Sequence, residues 1–352
     1  MTRRFINQIG EGENVDQVFL ASDKQLRTNR NGNLYLQVRL SDRSGSLVAM
    51  LWNANERIYR SFENGDYVRA VGATQIYQGG LQMIASKVER SNTNDIDESD
   101  FVTLGRRQLD QLLSTLADSL RQIETPALRD LAECFLMDET LMKKFATAPA
   151  GVKLHHAYQG GLLQHVVKVM RLCDLIAPEY PDVDGELLRL GAFLHDLGKV
   201  DELVYDRELG YSDEGQMLGH VILGVSLLER KIAEVEHHTQ EAFPAEVAMR
   251  LKHMILSHHG TLEFGSPKVP MTLEAMVLHY ADTLDSKLFA AEQLIRDDAN
   301  SDSAWTPYHQ PTGRKLYKPS LRGASVPQGD DSSPAPTADA DTAADAADAA
   351  KA

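Results

Sequence analysis

The segment LLRLGAFLHDLGK, residues 187–199, constrains this chain most. Leu187, Leu190, Leu194 and Leu197 recur at helical spacing, so one face of the stretch must pack into a core. His195 and Asp196 close it, followed by Gly198 and Lys199. A carboxylate that ends an apolar helix needs water or a partner, and a metal ion is one of the few partners that fits. Alone, the pair reads equally as two metal ligands or as a solvated helix end beside a packed imidazole.

The other histidines separate these readings. Eleven of the twelve lie between residues 155 and 279. The apolar spacing predicts helices over 160–176, 186–197, 216–237, 245–257 and 271–295, with no alternating strand pattern, which makes this part all-α. Each of these helices carries a histidine or aspartate on its apolar side or at its end: His165, His195-Asp196, His220, His258-His259 and Asp282. Any one histidine taken singly is a satisfied core imidazole. Seven such positions exceed what one ion needs. Imidazole with carboxylate suits a divalent transition ion rather than Mg. Two ions bridged by Asp196 would account for the set, and such a pair suits displacement at phosphorus.

Residues 1–92 follow a different period. Leu34, Leu36, Val38 and Leu40 alternate with Tyr35, Gln37 and Arg39, which is a strand with one buried face. Further strands are expected over 15–25, 46–52, 67–73 and 81–88, separated by Asn31-Gly32-Asn33, Asn64-Gly65-Asp66 and Gly79-Gly80, with a short helix over 54–62. Five strands with a helix after the third is the order of an OB-fold barrel, a scaffold that often holds single-stranded nucleic acid. Tyr35, Gln37 and Arg39 on the exposed face, with Lys24, Arg27 and Arg30 in the preceding loop, offer rings for bases and cations for phosphates. They read otherwise as ordinary solvated residues.

Charge supports this division. The chain carries a net −15, which by itself disfavours a polyanion partner, but residues 1–92 hold twelve Lys/Arg against nine Asp/Glu. The 28 residues from 325 onward hold six aspartates and one lysine in an Ala/Pro-rich context and are expected to be disordered. Residues 305–318 mix aromatics with Arg314, Lys315 and Lys318; they either reach nucleic acid or pack back on the body. No run of about 18 apolar residues exists, so no membrane span is expected. With two cysteines and no apolar leader, the cytoplasm is the expected location.

The order H…HD…H…HH…D resembles the HD superfamily of metal-dependent phosphohydrolases. The resemblance implies His165, His195, Asp196 and Asp282 as the minimal ligand set, with His220, His258 and His259 serving a second ion. It also implies that Lys199, in HDLGK, neutralises the scissile phosphate. A front barrel followed by HHAYQGGLLQH, LGAFLHDLGK, SHHG with GSPKVPMTLEA, and HYADTLDSKL is similar to the YhaM-type 3′→5′ exoribonucleases over about residues 1–320. That family implies a Mn-dependent enzyme, two ions in its site, which uses a metal-activated water to remove nucleotides from the 3′ end of single-stranded RNA, and of ssDNA. A homo-oligomer is compatible with it. His155, His156 and Tyr158 fall in the HHAY run and either line the substrate path or shape the turn before the His165 helix.

The expected fold is therefore multidomain α+β. An OB-fold barrel spans 1–92, an acidic linker with connecting helices 93–148, and an all-α HD domain 149–300; a basic, aromatic extension (301–324) and the acidic tail (325–352) follow. Two other functions compete. A hydrolase of small nucleotides would have no use for a barrel, and residues 260–267 (GTLEFGSP) lack the GYP signature of the cyclic-dinucleotide branch. A strand-binding protein with a non-catalytic HD domain would be expected to have lost ligands, whereas all seven positions are filled.

Overall fold

The computed structural model describes residues 3–77, 80–92, 96–97, 100–101, 104–151, 158–204, 210–296, 298 and 303–318. His155 and His156 lie outside these residues.

Five strands close the N-terminal barrel: β1 (Asn14–Thr28), β2 (Leu34–Asp42), β3 (Gly45–Trp52), β4 (Tyr67–Tyr77) and β5 (Gly80–Arg90). Their order around the barrel is β1-β2-β3-β5-β4, and only the β3–β5 pairing is parallel. β1 is longer than its apolar pattern predicts because it serves two neighbours. Its first half pairs with β4 and its second with β2, across a register shift between Ser22 and Gln25 that lets the strand turn the corner. Phe19, Leu36, Leu40, Val68 and Met83 fill the interior. The expected helix shrinks to α1 (Glu56–Tyr59), whose start is capped by the Asn55 side chain.

A second core belongs to the helices: α2 (Arg106–Leu120), α3 (Pro126–Leu136), α4 (Glu139–Thr147), α5 (Gly161–Ile176), α6 (Gly185–Leu194), α7 (Lys199–Glu202), α8 (Asp213–Thr239), α9 (Ala245–Ser257) and α10 (Leu273–Arg296). α2, α3 and α4 share this core with α5 through α10 rather than merely connecting it to the barrel. Among the connecting helices expected within 93–148, α3 and α4 are separate, because Asp138 turns its carboxylate onto the Leu141 N–H and starts α4 there. A two-residue ribbon, β6 (Leu203–Val204) with β7 (Gly210–Tyr211), interrupts the expected all-α pattern.

α6 is the centre of the bundle. Leu187, Leu188, Leu190, Ala192, Phe193 and Leu194 are all buried, and the rings of Phe135 and Phe145 meet Phe193 edge-on at 5.6 and 5.8 Å. Its polar residues fasten neighbours: Glu186 accepts the Glu124 and Thr125 N–H groups, and Arg189 pairs with Asp174. A helix so enclosed delivers its C-terminus, and thus His195-Asp196, into the middle of the domain. No described helix is long and apolar enough to cross a membrane.

Candidate metal centre

Six helices converge on Asp196. His165 stands mid-way along α5, His195 and Asp196 follow α6, Lys199 opens α7, His258 and His259 follow α9, and Asp282 sits on α10. The helix expected over 216–237 does not run unbroken: α8 is broken at Gly219, whose φ of +73° only glycine adopts readily, and His220 opens the second segment. The Glu202 carboxylate accepts the His220 N–H (2.9 Å) at that break. Gly198 is equally constrained. A Cβ there would stand 2.0 Å from the His220 carbonyl oxygen, so the glycine lets the HDLGK turn approach α8.

The geometry around Asp196 is two-sided. Its Oδ2 faces His165 Nε2 and His195 Nε2, each at 3.5 Å; its Oδ1 faces His220 Nε2 at 3.4 Å and His258 Nε2 at 3.6 Å. Donor atoms of Asp196, His220, His258 and His259 lie within 4.8 Å of one another, as do those of His165, His195 and Asp196. Asp282 Oδ1 is 3.2 Å from His165 Nε2, which joins it to the second group. All seven residues singled out in the sequence thus meet in one cluster. Lys199 meets them too, its ammonium 2.7 Å from Asp196 Oδ2.

The imidazoles are oriented from behind. His195 and His258 donate Nδ1–H to the carbonyls of Ala192 and Ile255, both at 2.7 Å. His165 directs Nδ1 to Asp285 (2.7 Å) and His220 directs its own to Glu202 (3.1 Å). In every case Nε2 is left pointing at Asp196. An imidazole whose far nitrogen is so fixed is a more basic and better oriented ligand. The sequence reading missed Glu202 and Asp285 as partners. Asp285 lies one helical turn from Asp282 on the same face, a signal that was available; nothing in the sequence marks Glu202.

Asp196 Oδ1, His220 Nε2 and His258 Nε2 are buried and make no hydrogen bond among the described residues. Leaving three such acceptors inside a protein without a partner costs about 1–3 kcal/mol each. Nitrogen and carboxylate oxygen converging in this way fit a divalent cation. Burial and the like charges of its neighbours hold His259 down to about 3, and burial holds His195 down to about 4, so both imidazoles are neutral at any ordinary pH. His165 differs. Burial pulls it down, but the Asp282 and Asp285 carboxylates outweigh that and lift it to about 9. Asp196 is held well below the carboxylate range: burial opposes this, and Lys199 with the surrounding histidines overcomes it.

The barrel face is partly as expected. Arg27, Arg30 and Arg39 are exposed, Tyr35 and Gln37 half-buried on the outer side. Arg39 reaches Asp23 at 3.1 Å and Arg27 leans on Gln25. Trp52, which the sequence reading passed over, is the cross-strand partner of Tyr35, its ring 5.1 Å away and 46% exposed. Lys24 contradicts expectation. The register shift in β1 turns it inward, where its buried ammonium donates to the Tyr59 and Phe62 carbonyls and pairs with Glu63 (2.9 Å). It ties α1 to the barrel instead of facing a phosphate. Lys24→Met should therefore destabilise the protein by about 1–3 kcal/mol in denaturant unfolding, through the two abandoned carbonyls. An unchanged midpoint would contradict this placement. Tyr158 donates its hydroxyl to Gln164, inside the start of α5, and its ring lies 6.4 Å from Phe289.

Comparison with known proteins agrees with this anatomy. Residues 22–90 match the family model described as an OB-fold nucleic acid binding domain, and residues 162–287 match the HD domain. The 3′-5′ exoribonuclease YhaM of Bacillus velezensis is 33% identical over 289 residues, 81% of this chain and 88% of that protein. The chain belongs to the YhaM family of 3′-5′ exoribonucleases. YhaM of Bacillus subtilis is likewise 33% identical, over 79% of this chain and 86% of its own length. At 289 of 352 residues, the first alignment is too long to fall within either the barrel or the helical domain alone.

Proposed function

We propose that this chain is a divalent-metal-dependent 3′-5′ exoribonuclease of the cytoplasm that acts on single-stranded RNA, and on single-stranded DNA presented in the same way. The observation that carries the reading is Asp196: its two oxygens face two different sets of imidazoles, as a carboxylate shared by two ions must. Family membership supplies the substrate class.

When bound, two ions, Mn in the reading favoured by the family, would act as Lewis acids at the phosphodiester and bring a water's pKa near neutrality. His165, His195 and Asp282 would hold one, and His220, His258 and His259 the other, with Asp196 shared. Asp285 and Glu202 keep His165 and His220 in the ligating orientation. Lys199, whose ammonium rests on Asp196 Oδ2, is the cation that would neutralise the charge of the scissile phosphate. Arg27, Arg30 and Arg39 follow the strand's phosphates across the barrel, and Tyr35, Gln37 and Trp52 meet its bases. Tyr158 braces the start of α5, the helix that carries His165, through Gln164.

Chelation tests this. EDTA should stop hydrolysis of RNA and of a chromogenic phosphodiester, and Mn should restore both. Hydrolysis indifferent to chelation would remove the mechanism.

The lifted pKa of His165 adds a pH dependence with a definite sign. Without metal, its imidazole keeps a proton below pH about 9, and an ion must displace that proton to reach Nε2. Apparent metal affinity should rise about tenfold per pH unit between 7 and 9, then level. Titration calorimetry at pH 7.5 in buffers of different ionisation enthalpy should show about one proton released per chain from this residue. A flat dependence would mean that His165 does not ligate.

A further inference from the structure

Residues 303–318 fold as a small antiparallel hairpin. Trp305 bridges Tyr317 and His309 bridges Arg314, and backbone bonds join Thr306 to Leu316 and Lys318 to Ala304. The hairpin is anchored. The Lys318 ammonium meets Asp298 at 2.7 Å, with the Asp298 carboxylate buried, and Asp298 bridges Gly80 at the start of β5. Gly80 is also the cross-strand partner of Tyr77, so the base of the hairpin lies at the β4–β5 turn of the barrel, beside another exposed ring.

Its outer surface is unusual for this chain. Trp305, Tyr308 and Tyr317 are 52%, 60% and 57% exposed, and the rings of Trp305 and Tyr317 stand 5.3 Å apart. Arg314 and Lys315 are exposed beside them without a carboxylate partner among the described residues. Residues 303–318 contain no Asp or Glu, in a chain whose net charge is −15. Uncovered aromatic surface is costly unless something binds it. Rings with unneutralised cations match a polyanion that carries its own flat apolar groups, which is single-stranded nucleic acid.

We infer that the 303–318 hairpin is a second single-strand binding site, which takes bases on Trp305, Tyr308 and Tyr317 and phosphates on Arg314 and Lys315. It extends the grip of the barrel from the β4–β5 turn onto a part of the chain that neither matched family model covers. The inference rests on the exoribonuclease reading for its ligand, single-stranded RNA.

The test uses the full chain. Trp305→Ala/Tyr317→Ala and Arg314→Ala/Lys315→Ala are compared with the parent for binding of 5′-fluorescein-labelled oligouridylate after EDTA treatment, and for Mn-supported hydrolysis of a chromogenic phosphodiester. The aromatic pair should cost about tenfold or more in affinity with the salt slope unchanged. The basic pair should lower the slope of log K against log salt by about 1.4, two phosphates' worth. Both should leave chromogenic hydrolysis at the parent rate. In a Trp52→Phe background Trp305 is the remaining tryptophan, and its emission should quench on adding RNA. Unchanged affinity in both variants, or no quenching, overturns the inference. So does a change in sedimentation with RNA affinity intact, which would assign the face to a second copy of the chain. A parent protein that fails to bind RNA at all would instead defeat the functional reading.

Discussion

Asp196→Asn is expected to abolish hydrolysis of RNA and of small phosphodiesters alike, a loss of about a thousandfold or more, while the folded protein still binds single strands. The substitution keeps shape and volume but removes the charge on which both histidine groups converge. A bound ion supplies several kcal/mol of transition-state stabilisation, and about 4 kcal/mol corresponds to a thousandfold in rate. Losing the carboxylate that faces both groups should affect both halves of the proposed site together. Excess Mn should not rescue the variant, because the defect lies in the bridge and not in occupancy of one half. Turnover within tenfold of the parent would place the chemistry elsewhere.

Asp285→Asn should behave differently. Asp285 touches no substrate; it holds His165 Nδ1 at 2.7 Å and is itself held by Lys168 at the same distance. The amide can accept the imidazole N–H but cannot supply the charge that raises the basicity of His165. Metal affinity should fall by about 10- to 100-fold, and the pH dependence assigned to His165 should move to lower pH. At saturating Mn much of the hydrolysis should return, which separates a positioning residue from the bridging ligand. Glu202→Gln should give the matching defect in the His220 half. The two should add in free energy if the halves bind independently. Equal metal affinity in parent and Asp285→Asn would show that the backing carboxylate does no such work.

Much of this site is legible in the sequence, and the reason is physical. Leu187, Leu190, Leu194 and Leu197 put one face of their stretch in a core, and the seven His and Asp residues spread over five expected helices, rather than the His195-Asp196 pair alone, favour ligation over a solvated helix end. The barrel is legible for the same kind of reason, since Leu34 to Leu40 alternate cleanly. What escaped reading depends on contacts between distant segments. Glu202 becomes a partner of His220 only once Gly198 and Gly219 allow α7 and α8 to approach. Lys24 turns inward because β1 shifts register between two partner strands, which a period-two pattern cannot foresee. Trp52 gains its meaning from lying opposite Tyr35 across the sheet. Asp138 ends one helix and begins another inside a stretch whose apolar spacing continues unbroken.

The stretch that began as an ambiguous helix end is therefore the centre around which two donor groups are arranged, with an OB-fold barrel ahead of it. The most direct measurement is the cleavage pattern of 5′-labelled single-stranded RNA under the Mn-loaded full-length chain. The account predicts a ladder that shortens progressively from the 3′ end while the label persists, and no products with Asp196→Asn. Internal cuts at early times, or release of the labelled 5′ nucleotide first, would contradict it.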